Sequence, residues 1–185
     1  MSVICTFTSA TDQQIRALLV APQNIDLFLR HRGGSPAPLN WWQRMFARKV
    51  VLPASLLDRT DVLEADLGRE WLTIHFLLTG TADKTDSPLG FIVSGGTYIG
   101  DEDIGYEPAR ALSPGEVKTF DQAVSPITDI ELRARISPEE LRRADVTQLA
   151  GDPQWEEDLF YHFHQLQNFL AEASRLDQGA IVTYT

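Results

Sequence analysis

Apolar residues recur along this chain at helical spacing, and the densest run, Leu67–Gly80, carries them on nearly every side. At about 100° per residue, Leu67, Trp71, Ile74 and Leu78 share one face. Leu72 and Phe76 cover a second flank, and Leu77 a third. A helix that is apolar all round belongs in the middle of a domain. Only Arg69, Glu70 and Thr73 are expected to need water, and Gly80 stands where a helix C-terminus takes its left-handed residue.

The pattern predicts further elements on both sides of this helix. Val3–Thr8, β-branched and aromatic, reads as a short strand. Thr11 followed by Gln14 forms a capping-box signature, opening a helix in which Ile15, Leu18 and Leu19 recur. Pro22 interrupts it, and Ile25–Arg30 continues as a second short helix stopped by Gly33-Gly34. Val62–Leu67 is either a short strand or the lead-in to the central helix. Leu89–Ser94, ended by Gly95-Gly96, is a buried strand or a helical turn. Ser113-Pro114-Gly115-Glu116 and Ser137-Pro138-Glu139-Glu140 mark two helix starts, with a helical Ile127–Ile136 between them. A long helix over Trp155–Arg175 aligns Trp155, Leu159, Phe163, Leu166, Leu170 and Ala173 in one stripe, and Ala180–Thr185 reads as a closing strand.

Composition narrows the function classes. The 185 residues, 43% hydrophobic and 23% charged, suit one soluble domain. With 16 basic against 26 acidic residues the net charge is −10, which repels phosphate backbones, so no nucleic-acid partner is expected. The same charge suits a basic protein partner or simply keeps the protein soluble. A lone cysteine, Cys5, excludes an internal disulfide and fits a reducing compartment. With no basic, apolar leader and no window of about 20 apolar residues, the chain is expected to be cytoplasmic and off the membrane. The sharpest local shift is the stretch between Asp26 and Asp58, which contains no acid. Within it a Pro/Gly loop at 33–38 leads to Trp41, Trp42, Arg44, Phe46, Arg48 and Lys49. This insertion, at about 33–53, is either a basic aromatic flap that contacts an anionic ligand, a partner or a membrane surface, or an amphipathic insertion docked on the core with its basic groups facing the acidic remainder.

Tests for catalytic motifs exclude more than they find. There is no phosphate-binding loop, and Gly95-Gly96-Thr97-Tyr98-Ile99-Gly100 lacks the dinucleotide spacing. Ser94 has no glycine two residues before it, so it is no nucleophile elbow. Two residues apart on a helix, His162 and His164 point to nearly opposite sides, and Asp101-Glu102-Asp103 reads as a solvated acidic turn. No metal and no cofactor are expected. His75, on the apolar helix, is either a base, or a donor lining a pocket, or a core histidine bonded to a backbone carbonyl or a carboxylate. Arg110, four residues after Tyr106, either clamps an anion or pairs with an acid.

These residues carry a family likeness. Leu67-x-x-x-Trp71-x-x-x-His75-Phe76-x-Leu78-Thr79-Gly80-Thr81, then Pro88-Leu89, resembles the signature of the YfbM-like family, a bacterial domain of unknown function. Gly105-Tyr106-x-Pro108-x-Arg110-x-Leu112 with Ser113-Pro114-x-Glu116-Val117, the Leu132-Arg133-x-Arg135 stretch and the last helix extend the likeness along the chain. Departures stand at Glu107, at Ser137 and in Leu149–Pro153. The resemblance implies a single α/β domain over 1–185, a small mixed β-sheet packed between helices in three α-β-α layers. It supplies no reaction. The leading expectation is a non-enzymatic module that binds a protein or small molecule through His75, Tyr106, Arg110, Trp41 and Trp42. The alternative is a small hydrolase or transferase with His75 as base and Arg110 as anion clamp.

Overall fold

The computed structural model describes residues 3–30, 62–147, 149 and 152–185. The expected flap, with Trp41 and Trp42, lies outside the described residues, as does the Gly33-Gly34 stop. Five strands, β1 (Cys5–Ala10), β2 (Glu64–Asp66), β3 (Thr97–Tyr98), β4 (Arg110–Leu112) and β5 (Gly179–Tyr184), form one sheet in the order β2-β1-β5-β4-β3. Every pairing among them is antiparallel, with Phe7 opposite Val182 and Arg110 opposite the same Val182 on its other side. The α/β class is as expected, but the sheet inside it is antiparallel where a mixed one was expected. The reason is placement: β1 and β4 run one way and β2, β5 and β3 the other, and in this order they alternate, so the consecutive strands β2 and β3, which share a sense, end at opposite edges and never pair.

Strand alternation then sorts the side chains onto two faces. Cys5, Phe7, Val182, Tyr184, Arg110 and Leu112 point one way, and Ala10, Ile181 and Ala111 the other. The second face is covered by α1 (Asp12–Val20) and α2 (Ile25–Arg30), through Ile15, Leu18, Ile25 and Phe28. Five helices belong to the first face: α3 (Trp71–Thr79), α4 (Pro114–Val124), α5 (Asp129–Ala134), α6 (Pro138–Arg143) and α7 (Pro153–Arg175). The result is a single three-layer domain. The stripe on α7 is buried throughout, and Phe7 stacks edge-on against its Phe169, with ring centroids 5.8 Å apart.

Capping explains where most helices begin. Thr11 with Gln14 and Ser113 with Glu116 close reciprocal boxes, and a third box, Thr128 with Glu131, opens α5. At Ser137 the hydroxyl accepts from the Glu140 amide at 3.4 Å. Leu89–Ser94 is the helical turn of the two alternatives, a 3₁₀ segment at Pro88–Gly90 that continues as turns.

The central helix is shorter than the pattern predicts. It starts at Trp71, because residues 64–66 extend the sheet and Leu67 still donates to the Cys5 carbonyl at 2.9 Å. The chain then bends at Gly68, whose φ of +54° suits glycine and whose amide is held by the Asp66 carboxylate at 2.8 Å. A β-carbon there would sit 2.6 Å from the His162 ring. Gly80, at φ +78°, ends the helix as expected. Thr73, expected to face water, is 1% exposed.

Candidate functional site

Arg110 is the largest fully buried side chain described, and β4 aims it across the first face of the sheet. The turn that begins at Pro88 ends there, and helical turns leave their last carbonyls without partners. Gly95 and Gly96, both left-handed, turn the backbone away and leave those carbonyls facing the guanidinium. One terminal nitrogen of Arg110 donates to Ser94 and Gly95 carbonyls at 2.6 and 2.9 Å. The other donates to the Ile92 carbonyl and to the Tyr184 hydroxyl, the latter at 3.0 Å. The Tyr184 hydroxyl in turn donates to Ile92. Nε stands 3.9 Å from Glu107, an ion-pair contact with a half-buried acid. Burial drives the Tyr184 phenol, and the thiol of its strand partner Cys5, far above their ordinary titration ranges. Both stay neutral.

His75 completes the same region from α3. It is fully buried, and its Nε2 lies 2.9 Å from the Asp83 carbonyl. A carbonyl only accepts, so Nε2 carries the proton and Nδ1 keeps its lone pair; Nδ1 has no partner among the described residues. Burial, with the nearby Arg110 charge, lowers the pKa of this imidazole and keeps it neutral, against the pull of the Asp83 carbonyl. His75 and Arg110 thus pin the same segment, residues 81–95, at its two ends. Between them the Ser94 hydroxyl donates to Thr85 at 2.7 Å.

Tyr106 goes elsewhere. It is 74% exposed, and its amide donates to the Tyr184 carbonyl at 2.9 Å. The four-residue spacing to Arg110 therefore does not bring the two side chains into one cleft, since one turns inward on β4 and the other outward before it. Of the five expected site residues, His75 and Arg110 share the interior, Tyr106 faces water, and Trp41 and Trp42 lie outside the described residues.

Concavities open on the surface of the described residues. One, of about 590 Å³, runs between α5 and α7, with Phe160 at its base and Tyr161 and Pro153 beside it. Two bridges span it: Arg133 with Glu156, and His164 with Asp129 at 2.8 Å. The Arg133 guanidinium lies over the Phe160 ring, 4.6 Å from its centroid. Another, of about 550 Å³, lies between the Pro22–Ile25 corner and the exposed Asp101–Asp103 turn. Among the described residues no group of three or more histidines, cysteines or acids is placed to hold a metal ion. His162 and His164 serve different partners, the Asp66 carbonyl and the Asp129 carboxylate. No helix among the described residues is long and apolar enough to cross a membrane.

Sequence reasoning did not single out Glu70. This carboxylate accepts from the Trp155 indole at 2.7 Å and from the Thr73 hydroxyl at 3.4 Å, and burial raises its pKa despite those donors. No local signal announces a contact between residues 85 positions apart.

A family model described as a domain of unknown function, DUF1877, matches residues 1–183. The chain belongs to the DUF1877 family. This DUF1877 member also resembles, with a TM-score of 0.62 and 18% identity, the crystal structure of a protein of unknown function, YfbM from Escherichia coli. That likeness covers 98% of this chain and 99% of the other, and at such identity it speaks to the fold alone. The YfbM-like resemblance read from Trp71, His75 and Leu78-Thr79-Gly80 is confirmed. No curated protein matches this DUF1877 chain.

Proposed function

We propose that this chain is a non-enzymatic binding module of the cytoplasm whose partner is a basic protein. One observation supports the reading above the others. The two side chains best suited to chemistry, His75 and Arg110, are sealed at 0% and 2% exposure, and both bind backbone carbonyls of one segment. A general base must reach a substrate proton within hydrogen-bonding distance, and an anion clamp must keep N–H groups free. Here the imidazole is sealed from solvent, and both terminal nitrogens of Arg110 are taken up by carbonyls and the Tyr184 hydroxyl. The charge of −10 favours a cationic partner over an anionic one, and exposed Tyr106 is the described member of the expected set that can touch it.

The test compares His75→Gln with the unaltered chain in an untargeted metabolite screen. We expect no substrate to be consumed by either protein, and the variant to lose stability. Turnover by the unaltered chain that vanishes in a folded His75→Gln protein would replace this reading with the hydrolase or transferase alternative.

A further inference from the structure

The groove between α5 and α7 is built differently from the rest of the surface. Phe160, 7% exposed, forms an aromatic base, and Tyr161 beside it is 60% exposed. Ile130, 81% exposed, stands three residues before the groove-lining Arg133 on α5, a spacing that makes the two side chains neighbours on the helix surface. Exposed apolar side chains beside a cavity of this size mark a binding surface more than scattered ones do. Charge decides what such a surface receives. Three carboxylates, Asp129, Glu156 and Glu157, line the groove against the one fixed cation, Arg133. Arg133 is matched to Glu156 and already covers the Phe160 ring, so an incoming anion finds no open cation there. A second copy of this chain brings another −10. Both are repelled at low salt, where charges on the surface are little screened.

We propose that this groove docks a segment of a partner protein that carries a bulky apolar anchor flanked by lysine or arginine. The anchor lies against Tyr161 and Ile130, and the flanking cations meet Glu157 and the bridged carboxylates. This deepens the binding-module reading and rests on it.

The experiment uses a random peptide library displayed on phage, selected against the full chain at neutral pH and low salt. Enriched peptides are expected to be net positive with an aromatic or large aliphatic residue. Their binding should fall about tenfold or more in Tyr161→Ala and in Ile130→Asp, the usual effect of removing an interface anchor. Glu157→Lys should weaken it and reduce its salt dependence. All three residues project from the surface, and circular dichroism checks that the variants fold. Peptides attracted by net charge alone would bind Tyr161→Ala unchanged, which overturns the groove while leaving a binding module. Enrichment of neutral or acidic peptides, or no enrichment over an unselected library, also overturns it. The module reading fails separately, through turnover in the metabolite screen.

Discussion

Polar side chains do opposite work in two parts of this molecule. Around Arg110 they are dry, and nearly every donor and acceptor is spent on the protein's own backbone. In the α5–α7 groove they are wet: Arg133 is 60% exposed, and His164 and Asp129 are 46% and 52% exposed. An arginine bonded to three carbonyls in the interior fixes structure, because withdrawing it strands groups that water cannot reach. An arginine laid across a ring at the surface can be pulled aside for little, since exposed pairs contribute about 0–1 kcal/mol. Residue type alone does not tell the two apart. Surroundings do.

Arg110→Met should break that contrast most visibly. It leaves the Ile92, Ser94 and Gly95 carbonyls and the Tyr184 hydroxyl short of partners, and we expect a loss of about 3–5 kcal/mol by urea denaturation. A loss below about 1 kcal/mol would mean the region is wet after all. Trp155→Phe comes next. Trp155 is buried while its neighbours Pro153 and Glu156 line the groove, so the interior begins directly behind the groove there. Removing the indole donor from the Glu70 carboxylate should cost about 1.5–3 kcal/mol, the range for hydrogen bonds to charged groups.

His75→Gln should cost about 1–2 kcal/mol from the Asp83 contact at neutral pH, and it should also change the pH profile. The folded imidazole has a pKa below its ordinary 6.5. Below that value the unfolded chain takes up a proton that the folded chain refuses, so stability falls with acidification from about pH 7 to pH 5. Subtracting the variant's stability curve from that of the unaltered chain should isolate this slope from those of the other histidines. An unchanged slope would place His75 in contact with water. The smallest effects belong to the groove: Tyr161→Ala and Ile130→Asp should shift stability by no more than about 0.5 kcal/mol, measured by the same denaturation.

What could be read in advance follows the range of each interaction. Caps at Thr11 and Ser113, the α7 stripe and the glycine that ends α3 are set by neighbours within a turn or two, and the sequence displays them directly. The start of α3 falls later than the pattern predicts because Leu67 keeps the apolar period of the helix while Gly68, tied by Asp66, breaks its backbone. Periodicity registers the first and not the second. Tyr106 and Arg110 look paired by spacing, yet residues 106–109 form a bend and irregular backbone before the strand begins at Arg110, so neither the helical nor the strand repeat relates the two side chains. The partners of Arg110 lie 15 to 18 residues away on a turn and 74 residues away on β5. The groove comes from docking α5 on α7, so no stretch of sequence contains it.

The middle position of β5 has an implication for synthesis. β1 leaves the ribosome early, but its longest partner emerges only after the whole of α7 has been made, and β4 waits for that same strand. Until then both present open hydrogen-bonding edges, the kind of edge that invites pairing between nascent chains. A translation stall before Gly179 would therefore release a chain in two halves that lack the strand joining them.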